Sequence, residues 1–114
     1  MVIPTIGSVI LVPFPFSDLS QSKLRPAVVL AEAGRNDWIL CQITSNAYGD
    51  SKAIILSRES FQIGFLQVTS FARPGKLFTS NSTLMIKQIG ILNQKALNII
   101  IEEVINILRP GMEI

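Results

Sequence analysis

Residues 7–30 read GSVILVPFPFSDLSQSKLRPAVVL, and the class of fold is decided here. Residues 8–13 (SVILVP) and 26–31 (PAVVLA) are apolar, β-branched runs of strand length. The ten residues between them, FPFSDLSQSK (14–23), are rich in Phe, Pro, Ser and Asp and read as a loop. Beyond this pair, Gly34, Asn36 and Asp37 mark a tight turn. Residues 38–45 (WILCQITS) then make a third strand and Lys52 to Leu56 a fourth. After Gly64 the segments FLQVTSF, GKLFTS and TLMI read as shorter strands, with Arg73-Pro74-Gly75 as a turn between the first two.

The period changes near the end of the chain. Leu97, Ile100, Ile101, Val104, Ile105 and Leu108 recur at helical spacing along one face. Asn93 supplies an N-cap, and Arg109-Pro110-Gly111 a basic last turn and a stop. Six or seven short strands followed by one helix predict a mainly β fold. The expected form is a small, mostly antiparallel barrel or twisted sheet with the helix packed on it, in one domain spanning residues 1–114.

Composition narrows the chemistry. The 114 residues contain no His and one Cys. Ser-His-Asp and Cys-His machinery and His-rich zinc sites are therefore excluded, and any catalysis must run on Arg, Lys, carboxylates and hydroxyls. No carboxylate grouping suggests a metal site, and no cofactor motif is present. The lone Cys41 suits a reducing compartment. No basic residue precedes the N-terminal apolar stretch, which Pro4 and Pro13 interrupt, so it does not read as a signal peptide. No apolar run reaches spanning length, so a cytoplasmic protein without membrane contact is expected. The net charge of +2 announces no broad nucleic-acid surface, yet residues 1–101 hold nine cations against five carboxylates. With 48% hydrophobic residues, the chain has enough apolar material for a core and a subunit interface.

Several conspicuous residues read as structural. Cys41 lies among Ile39, Leu40 and Ile43 and is expected to be a buried, inert small hydrophobe. Trp38 and the phenylalanines Phe61, Phe65, Phe71 and Phe78 read as packing, and Glu102-Glu103 as a solvated helix face. Arg73 and Lys76 are turn charges or ligand contacts with equal justification. The segment ending in Lys23-x-Arg25-Pro26 is different in kind, because a long loop delivers it to the start of a strand. Pro26 biases Arg25 to an extended backbone and removes a ladder donor, which fixes the direction of the Arg25 side chain. A fixed guanidinium near Phe14 or Phe16 suits phosphate binding with base stacking.

The run at 7–30, CQITSN at 41–46 and ARPGKLFTSNSTLMIKQIGIL at 72–92 together resemble the MazF/PemK family of toxin endoribonucleases from type II toxin–antitoxin systems. The most specific part is the K-x-R-P-A-V-V-L block behind a G-x-V-x-x-V-x-F-P strand. The resemblance implies an SH3-like barrel of the MazF/CcdB type, a two-fold homodimer, and metal-independent cleavage of single-stranded RNA at short sequences. It also implies a cognate antitoxin with a disordered, acidic tail. The family's active-site arginine matches Arg25 and its third-strand threonine matches Thr44, with Ser45 beside it.

That chemistry is compatible with a chain lacking His, since RNA supplies its own 2′-hydroxyl nucleophile. Arg25 then offsets charge on the pentacoordinate phosphate, while Thr44 and Ser45 donate hydrogen bonds. A guanidinium holds its proton tightly and is a reluctant acid, so the role expected of Arg25 is electrostatic. Some family members carry a carboxylate shortly before the arginine, where this chain has Ser20, Gln21 and Ser22. Asp18 is the nearest carboxylate and the candidate base. Phe14, Phe16, Lys23, Asn46 and Lys76 are the expected RNA contacts. Two alternatives stand beside this reading. One is a CcdB-like gyrase poison, although the RPGMEI end lacks the Trp of those proteins' tails; the other is an RNA-binding relative without cleavage.

Overall fold

The computed structural model describes residues 2–15 and 22–111. Among them, seven strands form one curled sheet: β1 (Ser8–Pro15), β2 (Ser22–Gly34), β3 (Asp37–Thr44), β4 (Ile54–Leu56), β5 (Phe61–Gly64), β6 (Ser70–Asn81) and β7 (Lys87–Leu92). They are hydrogen-bonded in the order β4-β6-β3-β2-β1-β7-β5, and every neighbouring pair is antiparallel. One helix, α1 (Gln94–Leu108), follows. The mainly β fold with a terminal helix is thus observed.

Both faces of β1, β2 and β3 are covered, which is why these strands read as nearly continuous apolar runs. Alternate residues point to opposite faces. Val9, Val28, Cys41 and Ile43 enter one core with Ala96, Leu97 and Ile100 of α1. Ile10, Val12, Ala27, Val29 and Leu40 enter a second core, closed by Met85 with Val2, Trp38 and Phe78 packed against it. Trp38 and Cys41 therefore have the packing roles expected of them. Phe65 does not: it is 43% exposed, because it lies on the connection after β5 and outside the sheet.

The turn at 34–37 forms as read. Arg35 and Asn36 both have positive φ, 55° and 66°, as a two-residue hairpin turn between twisted strands requires. Asn81 braces it by donating from Nδ2 to the Asp37 carboxylate at 2.9 Å. The N-cap is also as read, with Asn93 Oδ1 accepting from Ala96 N–H at 2.9 Å. The helical stripe is only partly buried. Its N-terminal half seals the core, but Ile105 is 40% and Leu108 70% exposed.

Three expectations are corrected. The β1–β2 ladder runs on to Phe14↔Lys23 and Pro15↔Ser22, so these residues are strand and not loop. Pro13 and Pro15 are tolerated because the Leu11 carbonyl accepts from Ile86 N–H on the side away from β2. Odd-numbered β1 residues thus turn their backbone groups from β2, and pairing with β7 stops at Leu11. Secondly, Arg73-Pro74-Gly75 does not separate two strands. It lies within β6, where the pairing with β3 passes from Cys41↔Leu77 to Ile43↔Ala72 and leaves residues 73–76 as an extended bulge. Thirdly, of the expected FLQVTSF strand only Ser70 and Phe71 are strand, as the start of β6, and TLMI forms none. Residues 65–69 connect β5 to β6, a 3-10 turn covers Ser82–Leu84, and the strand is Lys87–Leu92. At Gly64 and Gly90, β5 and β7 approach so closely that a Cβ on either would collide with the carbonyl oxygen of Ile89 or Ile63.

Candidate active site

Arg25 is a residue of β2, opposite Val12 of β1. Pairing of β2 with β3 begins at Ala27, so the N–H missing at Pro26 leaves no gap in that ladder. This placement sets Arg25 where the hairpin leaves the sheet. The residue is half-buried, and its Nε is out of contact with solvent. A guanidinium held this way acts through a lower effective dielectric than a fully solvated one.

Thr44 ends β3 and is buried, and the next residue, Ser45, is exposed. The chain turns here on its own side chains. Thr44 Oγ1 accepts from Asn46 N–H at 3.2 Å and donates to the Asn46 carbonyl at 3.1 Å. Asn46 Oδ1 in turn accepts from Tyr48 N–H at 2.9 Å. Such local bonds stop the strand and fix the turn. They also occupy the single hydroxyl proton of Thr44, leaving Ser45 with the exposed hydroxyl.

These two strand ends border one cavity of about 320 Å³. β2 contributes Lys23, Leu24, Arg25 and Pro26, and the end of β3 contributes Ile43, Thr44 and Ser45. The opposite wall is the β5–β6 connection, through Leu66, Gln67 and Val68, with Ser70 behind it. Among the described residues the cavity lining carries two cations, Lys23 and Arg25 of β2, and no carboxylate, so it favours an anion.

Four of the residues singled out in the sequence, Lys23, Arg25, Thr44 and Ser45, therefore share a cavity. Three others do not line it. Phe14 packs edge-on against Phe78, with ring centroids 4.9 Å apart. Asn46 lies one residue beyond the rim, and Lys76 is exposed in the β6 bulge. Phe16 and Asp18 lie outside the described residues. Gln67 and Ser70 escaped the sequence reading because the apolar residues around them suggested a strand. The polar Gln67 between Leu66 and Val68 is the one signal that could have marked them.

Two titratable groups nearby depart from their ordinary values. Burial pushes the Cys41 thiol up to about 12, against the opposing pull of an Arg73 backbone hydrogen bond. Asp50 is held below its ordinary 3.8 chiefly by the Lys52 backbone N–H and then by the Arg73 side chain. No group of three or more Cys, Asp or Glu side chains able to hold a metal ion occurs among the described residues. Nor is any helix there long and apolar enough to cross a membrane.

No family model matches the chain, and no curated protein sequence does. Solved structures do resemble it. The MazE–MazF complex from Deinococcus radiodurans superposes with a TM-score of 0.75 at 19% identity, covering 99% of this chain and 100% of that one. An endoribonuclease from a mycobacterial species, in complex with its cognate antitoxin, gives 0.72 at 11% identity with the same coverage. The Mycobacterium tuberculosis toxin MazF-mt6 gives 0.64 at 16% identity over 87% of this chain and 95% of that one. Over nearly its whole length, then, this chain has the fold of the MazF toxins.

Proposed function

We propose that this protein is the toxin of a toxin–antitoxin pair, a metal-independent endoribonuclease that cuts single-stranded RNA at short sequences. The observation that carries the reading is the meeting of Arg25, Thr44 and Ser45 at one cation-lined cavity, in a fold shared with MazF toxins. The antitoxin partner is inferred from the structural relatives described in complex with theirs. A homodimer in the cytoplasm completes the proposal, and the exposed apolar side chains Ile3, Leu84 and Ile86 are available for such an interface.

The reaction needs a negatively charged phosphodiester beside Arg25. The substrate's 2′-oxygen attacks phosphorus, the bond to the 5′-oxygen breaks, and the products are a 2′,3′-cyclic phosphate and a 5′-hydroxyl. Arg25 offsets the added charge on the pentacoordinate phosphate through two hydrogen bonds. Ser45 donates to a non-bridging oxygen, while Thr44 holds the turn that presents Ser45. Asp18 is assigned to accept the 2′-proton, and solvent protonates the departing 5′-oxygen. Lys23 draws in the flanking backbone phosphate.

The test is incubation of the purified protein with a long single-stranded RNA in EDTA. Discrete cuts that disappear with Arg25→Ala support the proposal. Intact RNA that remains bound to the protein contradicts it in favour of a non-cleaving RNA binder.

A further inference from the structure

The connection from β3 to β4, residues 45–53, is tied to itself from end to end. Beyond the Thr44–Asn46–Tyr48 bonds, Asp50 N–H donates to the Ala47 carbonyl at 2.9 Å and Ala53 N–H to the Asp50 carbonyl at 3.2 Å. Asp50 Oδ1 accepts from Lys52 N–H at 2.9 Å. Tyr48 and Gly49 complete the path with positive φ, 54° and 71°. A chain of local bonds sets the shape of a loop but does not fix its position on the protein.

Two ion pairs among the described residues do that. Lys52 Nζ reaches Glu103 of α1 at 3.5 Å, with side chains 52% and 30% exposed. Arg73 Nε donates to Asp50 Oδ2 at 3.0 Å, and each of these side chains is only 18% exposed. Solvent screens the first pair far more than the second. Arg73 reaches Asp50 because it belongs to the β6 bulge, where the strand leaves the β3 ladder. Its guanidinium also lies 5.8 Å from the centre of the Tyr48 ring. One side chain of the sheet thus grips the connection at two points.

We propose that Asp50 is a positioning residue for the cleavage site: its ion pair with Arg73 straps the β3–β4 connection to β6 and so holds Thr44 and Ser45 at the cavity. Asp50 touches no substrate. Its effect passes back through Ala47 and Asn46 to the Thr44 hydroxyl. The proposal rests on the reading of this site as an RNA-cleaving one.

The experiment uses the full chain and two readouts, single-stranded RNA cleavage and amide hydrogen exchange. Asp50→Asn is expected to slow cleavage at saturating RNA about tenfold, in line with the cost of small misplacements, with KM within about twofold of wild type. Exchange at Tyr48 and Lys52 rises about tenfold, while core amides in β2 keep their protection. Exchanging the charges, with Asp50→Arg and Arg73→Asp together, restores the rate to within about threefold of wild type. If Asp50→Asn does not fold, Asp50→Glu carries the test, with a smaller loss of rate in the same direction.

Wild-type cleavage by whichever variant folds overturns the positioning role, even where exchange has risen. Unchanged exchange at Tyr48 and Lys52 overturns the strap itself. Wild-type protein that cuts no RNA overturns the functional reading, and the positioning role falls with it. Exchange still reports on the strap in that event, so the two failures remain distinguishable.

Discussion

The two walls of the cavity are built differently. On one side, the end of β3 and the connection after it are locked by successive side-chain and backbone bonds from Thr44 to Ala53 and by the Arg73–Asp50 pair. On the other side, Phe65 and Val68 of the β5–β6 connection are solvent-exposed, with Ser70 Oγ bonding the Val68 carbonyl at 3.0 Å. Arg58 lies over the Phe65 ring at 4.2 Å, a contact at the surface. Two further cavities of about 300 Å³ flank this connection, and both share Leu66 and Gln67 with the main one. Under the proposed function, the contrast divides the labour. A wall that aligns a reacting phosphate gains from being fixed, whereas a wall that meets the neighbouring bases gains from varied polar groups and room to adjust.

The most severe way to break the site is to remove the charge that β2 sets beside the fixed wall. Arg25→Ala should lower RNA cleavage by about 10²- to 10³-fold, the usual cost of losing one preorganised donor to a transition state. Arg25→Lys should recover only part of this, since an ammonium lacks the planar fork. A global control separates site effects from stability. Ile100→Ala in the first core should cost about 2–5 kcal/mol in urea unfolding, yet leave the kcat of the folded fraction unchanged.

Asp50→Asn, at about tenfold, is the intermediate case and probes the fixed wall without touching substrate. The strap has a pH signature whose sign follows from Asp50. Because its pKa is lowered on folding, its contribution is present above the ordinary 3.8 and is lost as pH falls through the depressed value. Protection of the Tyr48 and Lys52 amides should therefore persist from neutral pH to below 3.8 and fade only in stronger acid.

On the opposite wall, Gln67→Ala should leave the rate on the preferred RNA within about threefold and alter which bases flank the cuts, read by sequencing the products. An equal loss on every sequence would erase the distinction between the walls. The smallest effect belongs to Cys41. With its thiol pushed up to about 12 and its side chain buried, it should resist alkylation at pH 8 in the native protein and react only on unfolding.

What the sequence made legible was local or strongly patterned. The β-branched runs around residues 8–13 and 26–31, the turn at Arg35-Asn36 and the Asn93 cap each depend on residues close in the chain. β7 was illegible because Lys87, Gln88 and Gly90 interrupt its apolar pattern. Gly90 is required there by the backbone of β5, a constraint that no local pattern contains. The β6 bulge was mistaken for a turn because Arg-Pro-Gly satisfies turn chemistry, and only the resumption of pairing at Ile43↔Ala72 keeps the strand continuous. In the site, Arg25 stood out through the Arg-Pro block, whereas Thr44 and Ser45 were marked only by the family resemblance. The Asp50–Arg73 pair spans 23 positions and depends on that same bulge, so it had no sequence signature.

The central claim is that this cavity lets RNA attack itself, and the end groups of the products test it most directly. A long single-stranded RNA is incubated with the protein in EDTA, and the new 5′ ends are labelled with polynucleotide kinase, with and without prior phosphatase. The account predicts ends that label without phosphatase, as 5′-hydroxyls do, paired with 2′,3′-cyclic phosphates and absent from Arg25→Ala. Ends that require phosphatase, or cuts that persist in Arg25→Ala, would contradict it.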